Sequence, residues 1–295
     1  MQPQIRESVP VFSVLRDAHF RIIWYVGSLH EFARRTELLV LSWLILQVTD
    51  SYFQLGLVLV FNNLPRPLLS LFSGFVADRF SRYRILLVAQ LANTLTAAAM
   101  LSLVAYDIDL VRPWQVFLAI ALQGATKSIE DPSRRTAILD IVGERRLVNA
   151  LSLDVVSNTA GKMVGPLLGG VLLATVDFTG AYAFVLTVHL LTLGLVTRLK
   201  IPRPRWDRQI EPVWRSTGMA IGYALRSPML QGLLYVTIVM NSLAFPIHHF
   251  IPAIGRDYLG VGPALVGLLA AAEGFGQLTG ASLMSLTRNV SYHGR

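Results

Sequence analysis

The chain has 295 residues, of which 53% are hydrophobic and 15% charged, and its mean hydropathy is +0.53. Soluble domains carry about 25% charged residues, so a water-facing globule is excluded and a lipid-facing surface is expected. The net charge of +8 does not indicate nucleic-acid binding, because the basic residues sit in alternate connections between apolar runs rather than along one surface. Cysteine is absent, which removes disulfides and thiolate metal sites.

Met1–Val11 lacks the apolar core and small-residue cleavage site of a signal peptide, so the first apolar run doubles as an uncleaved insertion signal. A membrane-spanning helix needs about 20 mostly apolar residues. Runs of that kind predict spans at Arg21–Gln47, Gln54–Ala77, Ile85–Tyr106, Pro113–Ile138, Leu147–Val176, Gly180–Arg198, Met229–Ile254 and Gly262–Leu286. No alternating strand pattern occurs, so the fold class expected is all-α and polytopic.

Arg6, Arg16 and Arg21 precede the first span, Arg79, Arg82 and Arg84 follow the second, and Arg145 and Arg146 follow the fourth. Arg198, Lys200, Arg203, Arg205, Arg208, Arg215 and Arg226 lie between the sixth and seventh, and Arg288 and Arg295 close the chain. The opposite connections hold Asp50, the Asp107–Arg112 segment, Asp177 and the Arg256–Asp257 pair. This asymmetry places the N-terminus in the cytoplasm of a multi-pass plasma (inner) membrane protein. The long connection from Lys200 to Pro228 starts with Pro202 and Pro204, which prevent a helix. It then turns amphipathic, with Trp214, Ile221 and Leu225 on one face, so a surface helix anchored by Trp206 and Trp214 is expected. The division is therefore 1–199, 200–228 and 229–295: six helices, a linker and two helices.

Two motifs carry more than topology. Gly74, Asp78, Arg79, Arg82 and Arg84 lie in the turn after the second span, spaced as GFVADRFSRYR. Read alone, this is a basic turn. It also resembles the GxxxDRxGRR signature of the major facilitator superfamily, with Ser81 in place of the usual glycine. Gly161, Gly165, Pro166, Gly169 and Gly170 in the fifth span resemble the GxxxGPxxGG motif of that superfamily's exporters. Glycines four apart make a flat stripe on which a second helix packs closely, and proline kinks the helix. The resemblance implies that this stripe meets the eighth span, where Gly276 and Gly280 offer a partner; generic small-residue packing is the plainer alternative. Asp131-Pro132-Ser-Arg134-Arg135-Thr-Ala137 in the fourth span is similar to the PxRxA stretch of the enterobactin-exporter and drug-efflux branch.

Charges at bilayer depth are the other informative feature. The first span carries Glu31, Arg34, Arg35 and Glu37, which oppose insertion by about 10 kcal/mol against about 7 kcal/mol returned by the apolar neighbours. It therefore needs partners. Glu31 and Arg35 are four apart, as are Glu130 and Arg134, and Lys127 precedes Glu130 and Asp131 by three and four. Asp154, Asn158 and Lys162 share a face of the fifth span, and Arg66 sits between Pro65 and Pro67 in the second. The resemblance implies that these four helices line a substrate cavity. Intramembrane ionisable groups are functional candidates by default, with a structural salt network as the alternative. A carboxylate held by arginine stays ionised, so a proton carrier must lose its partner in one state; Glu31 and Asp154 are the candidates. Arg34, Arg35 and Arg66 suit an anionic substrate group. His248 and His249 read as interfacial, and His189 as a packing residue.

No Walker A pattern, cofactor motif, metal cluster or nucleophile–base pair occurs, so ATP and enzymatic chemistry are not expected. The resemblance implies a secondary exporter of small amphipathic molecules, of siderophore or drug type, driven by protons and surrounded by lipid bilayer. Superfamily members have two six-helix halves related by a pseudo-twofold. At an offset of 211, Gly56 meets Gly267, Asp78 meets Asn289 and Arg84 meets Arg295. The expectation is thus of a chain stopping after the eighth helix, a truncated product or part of a longer one. A transport-incompetent fragment or membrane-embedded partner protein is the alternative function.

Overall fold

The computed structural model describes residues 11–69, 80–201, 222–244 and 246–286. Gly74, Asp78 and Arg79, the linker tryptophans and Arg295 lie outside them. After a 3-10 turn at Val11–Arg16, the first helix, α1 (Ala18–Thr49), starts on Asp17, whose carboxylate accepts from the amides of His19 and Phe20 at 2.9 and 3.2 Å. It ends at Asp50, which adopts a left-handed conformation (φ 48°). Ser51 caps α2 (Tyr52–Asn63), and helix resumes over 65–69.

Ser81 is the N-cap of α3 (Arg82–Tyr106), its hydroxyl accepting from the Arg84 amide at 3.4 Å. The serine that departs from the glycine of the signature therefore satisfies an orphan donor that glycine leaves open. Pro113 opens α4 (Pro113–Val142), and Gly143, at φ 73°, turns the chain into the next helix. Glu144–Thr197 is two helices, α5 (144–176) and α6 (178–197), broken where Asp177 takes φ 58° and ψ −173°. Pro228 opens α7 (Pro228–Val239), which runs into a π-helical turn at Met240–Ala244. Beyond Pro246 come α8 (Ile247–Ala253), a second π-helical turn at Ile254–Tyr258 and α9 (Pro263–Leu286).

From α1 to α6 consecutive helices run in opposite directions, so the bundle has an Asp50 end and a Ser81 end; α7 and α8 follow one another along one stretch. At the Asp50 end Leu41, Leu44, Ile45, Leu55, Ile120 and Tyr182 form one apolar cluster. At the Ser81 end Phe20, Ile23, Leu86, Ile138, Ala150 and Val196 form another. Between them lies a buried polar layer: His30, Glu31, Arg34 and Glu37 of α1, Gln90 and Asn93 of α3, Gln123, Glu130 and Arg134 of α4, Asp154 of α5 and His189 of α6. Large apolar residues point outward instead, among them Val88 and Leu95 of α3, Leu118 of α4, Val155 of α5 and Leu191 of α6. Polar inside and apolar outside is the arrangement of a protein solvated by lipid.

By length and composition, three helical stretches among the described residues can cross a membrane: Arg82–Tyr106, Glu144–Thr197 and Pro228–Tyr258. α1 and α4, which carry most of the buried charge, are not among them.

Candidate functional site

The centre of the polar layer is Glu31. Its carboxylate accepts from Arg34 Nη2 at 2.7 Å, Arg35 Nε at 2.8 Å and Lys127 Nζ at 2.6 Å. Helical spacing brings the two arginines around from the same helix, while Lys127 arrives from α4. A second pair links α4 to α5, where Arg134 binds Asp154, and Asn158 donates to the Asp154 carbonyl at 2.9 Å. Gly27 makes this possible, since a Cβ there would lie 2.8 Å from the Arg134 guanidinium carbon. The sequence reading missed this glycine, one turn before Glu31.

Three expected pairings differ. Arg134 faces Asp154 and, at 3.9 Å, Asp131, rather than Glu130. Lys127 reaches Asp131 at 3.8 Å but turns mainly to Glu31. Lys162 leaves the Asp154 face and meets Gln277 at 3.1 Å and Glu273 at 3.6 Å on α9. Glu130 and Glu37 each face a histidine: His30 Nε2 is 3.5 Å from Glu130, and His189 Nε2 is 3.5 Å from Glu37. His189 is thus part of the polar layer rather than simple packing.

The glycine motif of α5 divides its work. Gly161, Gly165 and Gly169 pack on α1, where an added Cβ would lie 3.1 Å from Glu31, 3.2 Å from the Thr36 amide and 3.0 Å from the Thr36 carbonyl. Thr36 Oγ1 donates to the Gly165 carbonyl at 3.0 Å. Of the motif's glycines, Gly170 turns to α9, and with the carbonyl of Pro166 it meets Gly267, whose Cβ position lies 2.5 Å from that carbonyl. Gly274 packs on the Met163 backbone. Gly276 and Gly280, expected at this contact, face open space. Gly267 and Gly274 are seven residues apart, about two turns, and share the face turned to α5, whereas Gly276 and Gly280 stand two and six residues past Gly274 and fall off that face.

Between α1, α2 and α5 on one side and α8 and α9 on the other lies a cavity of about 740 Å³. Arg35, Arg66, Lys162, His248, His249 and Glu273 give it charge, while Leu38, Leu39, Leu59, Leu64, Ile251 and Ala270 give it apolar walls. His248 and His249 therefore line the cavity instead of lying at an interface, and His248 Nδ1 is 3.8 Å from Glu273. Arg34, Glu37, Glu130 and Asp154 do not line it. At the Asp50 end α8 and the turn after it touch α1 and α2: Arg256 binds Asp50 and donates to the Leu46 carbonyl at 3.2 Å, and Gly56 meets Phe250. Toward the Ser81 end α7 buries no residue among those described, and Leu283 of α9 is exposed. Near that end Arg82, from the signature, pairs with Asp140 of α4 at 2.8 Å.

Apolar outer faces, a charged interior and a cavity between two groups of helices define a polytopic helical membrane protein. The chain belongs to the transmembrane secretion effector family of the major facilitator (MFS) kind, whose pattern matches residues 9–293. That family is one of membrane transporters rather than enzymes. Over 262 residues the chain is 26% identical to the uncharacterised MFS-type transporter YfiS of Bacillus subtilis, covering 86% of this chain and 60% of YfiS. Over 240 residues it is 27% identical to the multidrug resistance protein MdtH of Yersinia pestis and of Yersinia pseudotuberculosis, covering 76% of this chain and 52% of each. The chain thus spans between half and three-fifths of these relatives.

Proposed function

We propose that this chain forms the substrate-binding part of a proton-driven exporter of small amphipathic molecules, of the drug type suggested by the name of the MdtH relatives. The observation that carries this reading is the cavity between α1, α2 and α5 and α8 and α9, lined by both charged and apolar residues, with the Arg256–Asp50 ion pair bridging the two groups of helices at the Asp50 end. The arginine-rich connections support a Ser81 end in the cytoplasm of the inner membrane, the side from which an exporter loads its substrate. Helices α1–α6 act as one half and α7–α9 as the start of the other, joined by the connection at 200–228.

Three cations, Arg35, Arg66 and Lys162, stand against the single carboxylate Glu273 among the lining residues. They favour a substrate with an anionic group on an apolar body, which extends to siderophores. The charged layer also keeps α1 in place. The signature residues Gly74, Asp78, Arg79, Arg82 and Arg84 and the buried Arg134 govern the closing of the Ser81 end.

Reconstitution of the chain into proteoliposomes with an anionic, amphipathic fluorescent dye and an imposed pH gradient tests this reading. Gradient-dependent dye movement, reduced at least tenfold by Arg66→Ala combined with Lys162→Ala, is expected. Dye movement equal to that of empty vesicles contradicts it.

A further inference from the structure

Glu31 and Asp154 make poor proton carriers, because Glu31 is held by three cations and Asp154 by Arg134. A bound proton would have to displace those partners, leaving buried cations without an anion. Two other carboxylates lie in the same buried layer and, among the described residues, face no arginine or lysine within ion-pair distance: Glu130 beside His30 and Glu37 beside His189. The two imidazoles are neighbours, with ring centroids 6.1 Å apart.

The two histidines are not equivalent. Gln90 Nε2 donates to the His189 backbone carbonyl at 3.0 Å, an acceptor only, and this fixes the amide so that the same Nε2 also donates to His189 Nδ1 at 3.1 Å. Neutral His189 therefore carries its proton on Nε2, pointed at Glu37. His30 has no such lock, since among the described residues neither of its ring nitrogens makes a hydrogen bond, and Glu130 Oε2 is likewise unbonded. Both residues are at most 5% exposed.

Resting on the proton-driven reading above, we propose that Glu130 and His30 are the proton-exchanging pair of this chain, with His189, Gln90 and Glu37 a fixed counterpart that positions His30. The Glu130 carboxylate takes a proton from water on the side of Asp131, whose side chain is 33% exposed. The Glu130 carboxylic O–H then breaks as an N–H bond forms at His30 Nε2, leaving a carboxylate and an imidazolium; release runs in reverse. The charged groups around the pair are Glu31 and Arg34 of α1 and Lys127, Asp131 and Arg134 of α4, while α6 contributes His189. From α5, Asp154 faces Arg134, α3 presents the Gln90 amide, and Arg66 of α2 lines the cavity. Glu31 is the link to substrate, because it holds Lys127 on the side of the pair and Arg35 on the cavity wall. A positive charge gained at His30 draws Glu31 toward it and loosens Arg35 for an anionic group in the cavity.

The test is nuclear magnetic resonance of the intact chain in lipid nanodiscs with isotopically labelled histidine, titrated between about pH 5 and 8. One signal, absent in His30→Gln, changes with pH within this range, as proton exchange with Glu130 requires. Should His30→Gln fail to fold, Glu130→Gln serves in its place, since it moves the titration of the histidine facing it and no other. A His30 signal fixed in one neutral form throughout overturns the proposal. Titration of His30 in a chain that moves no dye overturns the transport reading and leaves the pair standing. Dye transport with a silent His30 overturns the pair alone.

Discussion

Glu31→Ala is expected to destabilise the chain by about 3–5 kcal/mol, read as a lowered midpoint of thermal unfolding in detergent or nanodiscs. The cause is asymmetric. Removing the carboxylate leaves Arg34, Arg35 and Lys127 crowded in the polar layer with no common anion, in a site where Glu31 itself is 3% exposed. Removing one cation is milder, because the carboxylate keeps two others. Lys127→Met should therefore lower the midpoint by less than half as much as Glu31→Ala. Equal effects of the two substitutions would mean that Glu31 is not the hub of the network.

Gly170→Val and Gly276→Val should part company. A Cβ at Gly170 would lie 2.9 Å from the Gly267 Cα, and the backbones on both sides leave no flexible side chain to yield. Valine there separates α5 from α9 and opens the bundle at its Asp50 end, at a cost of about 3 kcal/mol or more. At Gly276 nothing lies within 4 Å, and valine should change stability by less than about 0.5 kcal/mol. The comparison is read by thermal unfolding, and by cross-linking α5 to α9 through introduced cysteines, which the native chain lacks. Matching losses for the two variants would place the stripe of α9 on its Gly276 face instead.

The helices themselves were legible in the sequence because their ends are written in local chemistry. Ser51, Ser81, Pro113 and Gly143 stand where apolar runs begin or stop, and α1, α3 and α9 fall within a few residues of the expected spans. Apolar periodicity carries no mark for a π-helical turn, so the interruption at Met240–Ala244 was not foreseen. That charged residues on α1, α4 and α5 would seek one another was also legible, since lipid offers them nothing else.

Which residue pairs with which was not legible. Helical spacing joins Glu130 to Arg134, but the guanidinium passes over Gly27 to Asp154 because the space left by that glycine lies on the way. Spacing within one helix cannot see a gap in its neighbour. The pairing of Glu37 with His189, and the lock on His189 from Gln90, likewise join residues far apart in the chain. The α9 glycines are a subtler case: four glycines recur on that helix, and only the rotation of α9 about its own axis decides that Gly267 and Gly274 meet α5.

Everything rests on the interior being the wet side and the outer faces being the oily side. In a chain without native cysteine, single cysteines can be placed at Asn63 and Gln277, which line the cavity, and at Leu95 and Leu191, which are 61% and 59% exposed on outer faces. In intact membranes a hydrophilic maleimide should label Asn63→Cys and Gln277→Cys and leave Leu95→Cys and Leu191→Cys unlabelled. Labelling at Leu95 and Leu191 with protection at Asn63 and Gln277 would contradict the account.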